Sequence, residues 1–381
     1  MASSWATHRT RERVEDLFLS AGDDHALREA ALAELGHVVG FSAFVWPLTD
    51  PESATGVAPM AAVPCPSEVP LVIKARYASR INRWTVLSEA ERPAASLFAA
   101  TNGDPARHPL WDTVLRGYGV GDIASLALGD QHGIWSWLDL WREDTDPAFS
   151  EEDLDFLVSL APAMTRGLRR SRARQFAASP VGSKGSMPAQ AVLVMDEDMQ
   201  VLGQTSSASN WLSLLQRAPR PHAGIPAEVY NVVAQLLAKE AHIDNRASAA
   251  RIHIGGGQWA SLRAARMHSP AHTPNSPAIA VTIQECLPAA RLGVFVRAYG
   301  LTARERQALA LLAAGMVNEV LAGRMRISPL TAQDHFKSIF AKTGMHSRAG
   351  VLALALGSAA GGDAEFVDSA VSRLRTAEGR R

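Results

Sequence analysis

The sequence predicts a multidomain chain: two α+β segments, each an antiparallel sheet with helices, followed by an all-α segment of four helices. Its 381 residues exceed what one ordinary core organises. Alternating apolar runs bounded by turn residues occur over residues 10–175 and again over 187–290, with helical spacing between the runs. From 298 to 356 only helical periodicity remains.

In the first segment Leu27, Ala31, Leu35 and Val38 recur at helical spacing, and Gly40 follows where a C-terminal cap belongs. "FSAFVWPL" reads as a strand ended by Pro47, and "VPCPSEVP" as a loop or an edge. "DIASLALGDQHGIWSWLDLW" reads as two strands joined at Asp130–Gly133. "FSEEDLDFLVSLAPAMTRGLRR" is a long helix, with Ser150 and Asp153 in capping-box spacing. Arg166, Arg169, Arg170, Arg172 and Arg174 crowd its end and read as a solvated helix terminus, favoured by the dipole, rather than as a DNA contact. Small residues, Gly, Pro and Ser then make residues 176–186 a linker.

The second segment begins "AVLVMDEDMQVLG", which reads as strand, acidic turn, strand. "SNWLSLLQ" and "AEVYNVVAQLLAKE" read as helices, "SAARIHIGGGQWASLRAARM" as two strands turning at Gly255-Gly256-Gly257, and "PAIAVTIQE" as another strand. The acidic turn raises a phospho-receiver reading, but no apolar strand precedes Asp244, and Lys239 is the only lysine of the segment.

Lys+Arg and Asp+Glu both number 38, so a polyanionic partner must be met by a local patch. No apolar run approaches the roughly 18–20 residues of a membrane span, and the N-terminal stretch lacks a secretory leader pattern. Two well-separated cysteines, Cys65 and Cys286, make no disulfide framework. These features lead us to expect a cytoplasmic chain with no membrane association.

The last segment opens "LTARERQALALLAAG". Thr302 and Glu305 form a capping box, Leu309 and Leu312 face inward, and Gly315 ends the helix. Asn318 is positioned to cap a second helix, and Ser328 with Pro329 starts a third. On that third helix Ala332, Phe336, Ile339 and Phe340 form an inward stripe, which turns Gln333, Asp334, Lys337 and Ala341 outward. Ser347 caps a fourth helix running to Leu356. Two short helices joined tightly, the second presenting polar side chains, make helix-turn-helix geometry. Seven basic against three acidic side chains over 301–356 leave four net positive charges. A tail at 357–381 is expected to be partly disordered, with one short amphipathic helix through Phe366, Ala370, Val371 and Leu374.

This segment resembles the LuxR/NarL-type DNA-binding domain. The resemblance rests on Leu301-Thr302-x-Arg304-Glu305, Gly315, Asn318, Ala322, Ile327-Ser328, Thr331, His335, Ile339, Lys342, Gly344 and Ser347-Arg348, at ungapped spacing. It implies a third helix docked in the major groove of double-stranded DNA, usually as a homodimer on two half-sites. By position, Gln333, Asp334 and Lys337 would approach base edges and Thr331 the phosphates, with Lys342, Arg348 and Arg326 completing the DNA-binding set. The sequence departs from the family pattern at Glu319 and Gln333, where lysine is common, and at Arg326, where the turn normally carries glycine. Asp334 places negative charge towards the duplex. The competing reading is a sensor or adaptor that has lost DNA binding and uses a degenerate helix-turn-helix for protein contacts.

The first segment resembles GAF-like sensor domains in "HPLWDTVLRGYGVGDIASLAL", and the second a PAS domain in "VLVMDEDMQVLGQTSSASNWL" and "GGGQWASLRAARM". Trp135, Trp137 and Trp141 would share one strand face. With Phe44, Trp46 and Trp111 they could wall a cavity for a small-molecule ligand, with Arg80 and His108 as polar groups; packing of the sheet against helices is the plainer reading. No cofactor signature is evident. Walker A, GxGxxG, HExxH and GxSxG patterns are absent, so no enzyme is expected. His268 and His272 flank a proline in "HSPAH" and lack a third ligand, so no metal site is expected either.

Overall fold

The computed structural model describes residues 4–20, 22–177, 187–216, 224–267 and 278–357. His268, His272, most of the expected linker and the tail beyond 357 lie outside the described residues.

Helix α1 (Ser4–Leu19) precedes the first helix the spacing predicts, α2 (Asp24–Leu35). Asp23 caps α2 by accepting from the His25 amide at 3.0 Å; Gly36, not Gly40, stands at its C-terminus, so Val38 lies beyond it. Strand β1 (Ala43–Thr49) runs through Pro47 instead of ending there. Its pairing with β2 (Gly56–Ala62) slips between Trp46 and Leu48, and that irregularity accommodates a residue without an amide hydrogen. The proline-rich stretch is a short 3-10 turn leading directly into α3 (Val69–Tyr77).

Helix α4 (Trp84–Leu87), strand β3 (Ala94–Ser96), α5 (Leu97–Ala100) and α6 (Pro109–Thr113) follow. Strands β4 (Val120–Asp130) and β5 (Gly133–Glu143) are the expected hairpin. The antiparallel sheet has the order β2-β1-β5-β4-β3. Helix α7 (Glu151–Ala177) starts with both bonds of the expected capping box: the Ser150 amide donates to Asp153 at 2.9 Å, and the Asp153 amide donates to the Ser150 hydroxyl at 3.2 Å. Of the five arginines near its end, Arg166 and Arg170 are exposed as a solvated terminus requires, but Arg169, Arg170 and Arg172 have partners within the protein. Arg169 lies 3.3 Å from Asp130, Arg170 donates to the Phe18 carbonyl, and buried Arg172 donates to Gln175 at 3.0 Å.

The second segment contains β6 (Ala191–Met195), β7 (Val201–Gln204), α8 (Ala208–Leu215), α9 (Ala227–Glu240), β8 (Ala249–Gly255), β9 (Gln258–Arg266) and β10 (Ile279–Glu285). Its sheet order is β7-β6-β10-β9-β8. Gly255, Gly256 and Gly257 have φ of 101°, 54° and 72°, a left-handed turn that side chains disfavour.

These two α+β segments form one compact unit. Helix α9 explains why: it is buried nearly all round. Its polar residues Glu228, Asn231 and Gln235, at helical i, i+3, i+7 spacing, reach the first segment. The Ala58 amide donates to Glu228 at 3.0 Å, Asn231 donates to the Gly56 carbonyl at 3.0 Å, and Arg83 donates to Gln235 at 2.8 Å. Backbone groups of β2, at the sheet edge, therefore find partners on α9 instead of water.

A second compact unit holds the last turns of α7 and the C-terminal helices. Residues between the second α+β segment and the predicted bundle form a further helix, α10 (Pro288–Ala298). Phe176 of α7 meets Phe295 edge-on at 5.3 Å, and the Tyr299 hydroxyl donates to the Ala173 carbonyl at 3.1 Å. Then come α11 (Ala303–Ala313), α12 (Asn318–Met325), α13 (Pro329–Thr343) and α14 (Arg348–Leu356). The architecture is thus two antiparallel sheet-and-helix segments followed by an all-helical one. Among the described residues no helix is long and apolar enough to cross a membrane. Cys65 and Cys286 are both buried and form no disulfide.

Candidate nucleic-acid interface

The charged start of α11 does more than cap it. Thr302 accepts from the Glu305 amide at 3.3 Å, and the Thr302 amide donates to the Glu305 carboxylate at 2.7 Å. The same carboxylate also accepts from Ser338 and from Lys342, each at 2.6 Å, so Glu305 ties α11 to α13. Burial pushes its pKa up, but those hydrogen bonds outweigh burial and hold the carboxyl below its ordinary value. Leu309 and Leu311 are buried, whereas Leu312 is only half-buried.

Between α12 and α13 the chain turns on Arg326, with φ 54° and ψ 48°. This is the left-handed conformation that glycine adopts without penalty and an arginine adopts at roughly 1–2 kcal/mol. The turn is held by the Ile327 amide, which donates to Ala322 O at 3.1 Å. Ser328 then caps α13, accepting from the Thr331 amide at 3.1 Å, and Pro329 occupies the first turn.

On α13 Ala332, Phe336 and Ile339 are buried and Phe340 half-buried, which rotates Leu330, Gln333, Asp334, Lys337 and Ala341 to solvent. Gln333, Asp334 and Lys337 therefore lie together on one open helical face, with Thr331 exposed beside them and bonded to Ser328 through its hydroxyl at 2.9 Å. The Lys337 ammonium sits 3.0 Å from the Asp334 carboxylate. Arg324 and Arg326 are exposed at the preceding turn.

Two of the expected DNA contacts point elsewhere. Lys342 is committed to Glu305 and donates to the Gly300 carbonyl at 3.1 Å. Arg348 stacks over Phe336 at 4.1 Å and donates to the amide oxygen of Asn318. Their charge still contributes to the field, but their geometry braces the bundle. Asn318, expected as a cap, is the first helical residue; Val317 stands at the cap position without a side-chain bond. Leu330, at the tip of the outward stripe, was not singled out in the sequence. Its position in the i, i+3, i+4, i+7 series with 333, 334 and 337 is the signal that finds it.

The expected aromatic pocket does not form as one wall. Strand pairing sets Ala43 opposite Trp141 and Phe44 opposite Leu140, so alternation places Phe44 and Trp46 on one sheet face and Trp137 and Trp141 on the other. Trp46 donates to Ser136 at 2.8 Å. Trp135 lies beside the irregularity in the β4–β5 pairing and donates to Asp130 at 3.0 Å. Arg80 turns to the second segment and donates to the His242 carbonyl. Trp111, near Trp141 in the apolar core, donates to Val120 O at 2.7 Å, and His108 caps α6 by accepting from the Leu110 amide at 3.1 Å.

What the structure assembles instead is a buried polar cluster around Arg76, which the sequence reading did not single out. Arg76 forks onto Asp139 of β5 at 2.9 and 3.1 Å and donates to Asn82 O at 2.8 Å and to Ser125 at 3.3 Å. Trp84 stacks on Trp137 at 4.0 Å, with the Arg76 guanidinium 5.4 Å from the Trp84 ring. Burial, with Arg76 adding to it, pushes the pKa of His108 down to about 4 despite Asp139, so its imidazole is neutral. Arg76 Nη1 and the indole nitrogens of Trp137 and Trp141 are buried donors without a protein acceptor.

Residues 300–355 match the family described as bacterial regulatory proteins, luxR family. No curated protein matches the chain. The C-terminal helices α11–α14 are therefore a luxR-family helix-turn-helix domain.

Proposed function

We propose that this chain is a sequence-specific DNA-binding transcriptional regulator, with the luxR-family domain as its DNA-reading part. The observation that carries the reading is the open face of α13: Gln333, Asp334 and Lys337 side by side, on a helix capped and oriented by a tight turn. Gln can pair with adenine, Asp can accept from the cytosine amine, and Lys can reach guanine or a phosphate. Arg324 and Arg326 supply charge at the turn, where backbone contacts position such a helix. Binding of the full chain to genomic duplexes at two salt concentrations tests this reading. Affinity that falls with salt and varies with sequence supports it; indifference to every duplex at low salt overturns it.

The two front segments fit a sensing role. Arg76 Nη1 and the indoles of Trp137 and Trp141 offer donors, not acceptors, from one side of the first sheet. They suit a small ligand bearing carbonyl or carboxylate oxygens. Such a ligand, binding one conformation better, would shift the spacing of two recognition helices in a homodimer relative to half-sites about 34 Å apart. Mass spectrometry of the purified chain under native and then denaturing conditions is the check. A released acceptor-bearing small molecule, lost in Arg76→Leu, supports sensing at this cluster. A chain that yields none, and whose melting no carboxylate or carbonyl compound moves, removes it.

A further inference from the structure

We infer that Leu330 is a base-reading residue that recognises the 5-methyl group of a thymine in each half-site. This inference deepens the DNA-binding reading and rests on it. Leu330 is the second residue of α13 and remains 65% exposed, although its helix buries an apolar stripe on its other side. It is in helical register with Gln333, Asp334 and Lys337, so it extends their row towards the helix N-terminus. In a helix-turn-helix it is the N-terminal part of the second helix that meets base edges.

A leucine side chain can neither donate nor accept a hydrogen bond. The apolar group that the major-groove edge presents is the thymine methyl, and aliphatic contact with it distinguishes thymine from the other bases. Leu330 therefore suits a partner that its polar neighbours do not. Three residues of helix advance about 4.5 Å and seven about 10.5 Å, against about 3.4 Å for each base step. Because a groove-bound helix is inclined to the duplex axis, these advances are upper limits, and the thymine is expected within about two base pairs of the pair met by Gln333 and within about three of the site of Lys337.

The experiment uses the full chain and duplexes enriched on it from a random pool. Each thymine of the recovered half-site is replaced in turn by deoxyuridine, which keeps the pairing and removes only the methyl. The expected result is one position per half-site at which the native chain loses about three- to fivefold in affinity, a loss absent in Leu330→Ala and kept in Leu330→Met. The exposed site makes misfolding an unneeded explanation, and the retained salt slope of both variants checks it. Enriched duplexes that bind equally with thymine or deoxyuridine at every position overturn the role of Leu330 while leaving DNA binding intact. So does an unchanged deoxyuridine penalty in Leu330→Ala. A pool from which no duplex is enriched overturns the DNA-binding reading, and this inference with it. If Leu330→Ala changes only self-association of the chain, the side chain faces protein and the inference fails.

Discussion

Arg83 and Asp244 form a buried ion pair, Nε to carboxylate 3.2 Å, that joins the first α+β segment to the second. Arg83 also donates to the Tyr77 carbonyl at 2.6 Å and to Gln235 at 2.8 Å, so its guanidinium is met on several sides. Burial lowers the Arg83 pKa, and Asp244 opposes that change. Removing one partner leaves the other charge buried and unmatched. Asp244→Ala is expected to destabilise the N-terminal unit by about 3–5 kcal/mol, read by urea unfolding monitored through tryptophan fluorescence. The paired variant Arg83→Met/Asp244→Leu should recover most of that loss. A cost below about 1 kcal/mol for the single variant would mean that the pair does not hold the unit together.

Arg326 holds a conformation that glycine adopts without strain. Arg326→Gly is expected to stabilise the isolated C-terminal transition by about 1 kcal/mol, seen as a raised melting temperature. The same change should weaken DNA binding, because it removes an exposed guanidinium from the turn. Stabilisation without loss of affinity would exclude Arg326 from the interface.

Asp334 and Lys337 neutralise each other on the open face of α13, 3.0 Å apart. Asp334→Asn leaves Lys337 available to phosphates and should raise affinity for non-cognate duplex several-fold, with a steeper dependence on salt. Lys337→Ala should flatten that dependence by about one phosphate's worth. An Asp334→Asn variant with unaltered non-cognate binding would place the pair outside the contact area.

Lys342 separates a structural from a DNA-contacting role. Its ammonium answers a carboxylate that also keeps the Ser338 and Thr302 donors, so Lys342→Met should lower the stability of the C-terminal helices by about 1–2 kcal/mol. At temperatures where the variant is folded, the salt slope of DNA binding should change far less than in Lys337→Ala. An equal drop in slope would return Lys342 to the contact set.

His108 makes the first segment sensitive to acid. Its folded pKa of about 4 lies below the ordinary 6.5, so the unfolded chain binds the proton first as pH falls. The stabilisation it provides is full above pH 6.5 and declines towards pH 4, by about 2 kcal/mol between pH 6.5 and 5. His108→Asn, which can still cap α6, should remove that part of the pH dependence in denaturation curves. A curve of the same shape in the variant would assign the sensitivity to another group.

Much of this protein was legible as local chemistry. The Thr302–Glu305 and Ser150–Asp153 boxes, the Ser328 cap with its proline, and the turns at Asp130–Gly133 and Gly255–Gly257 each involve residues within a few positions of one another. Their geometry follows from bonding within one turn, and the i, i+3, i+4 rule already separated Ala332, Phe336 and Ile339 from Gln333, Asp334 and Lys337. Sequence by itself thus determined the types of the strongly periodic elements, the capped start of α13 and the side chains it turns outward, whereas α1, α3 and α10 carried no such local signal. Only the tertiary structure decided what depends on pairs distant in the chain. Strand register divided the tryptophans between two sheet faces, Arg76 found Asp139, and Arg83 found Asp244. Glu228 and Asn231 met the edge of a sheet built from the other segment, Gln235 met Arg83, and Lys342 turned to Glu305 instead of outward. Burial of a charged or polar group is set by whichever remote partner satisfies it, and no local pattern encodes that partner.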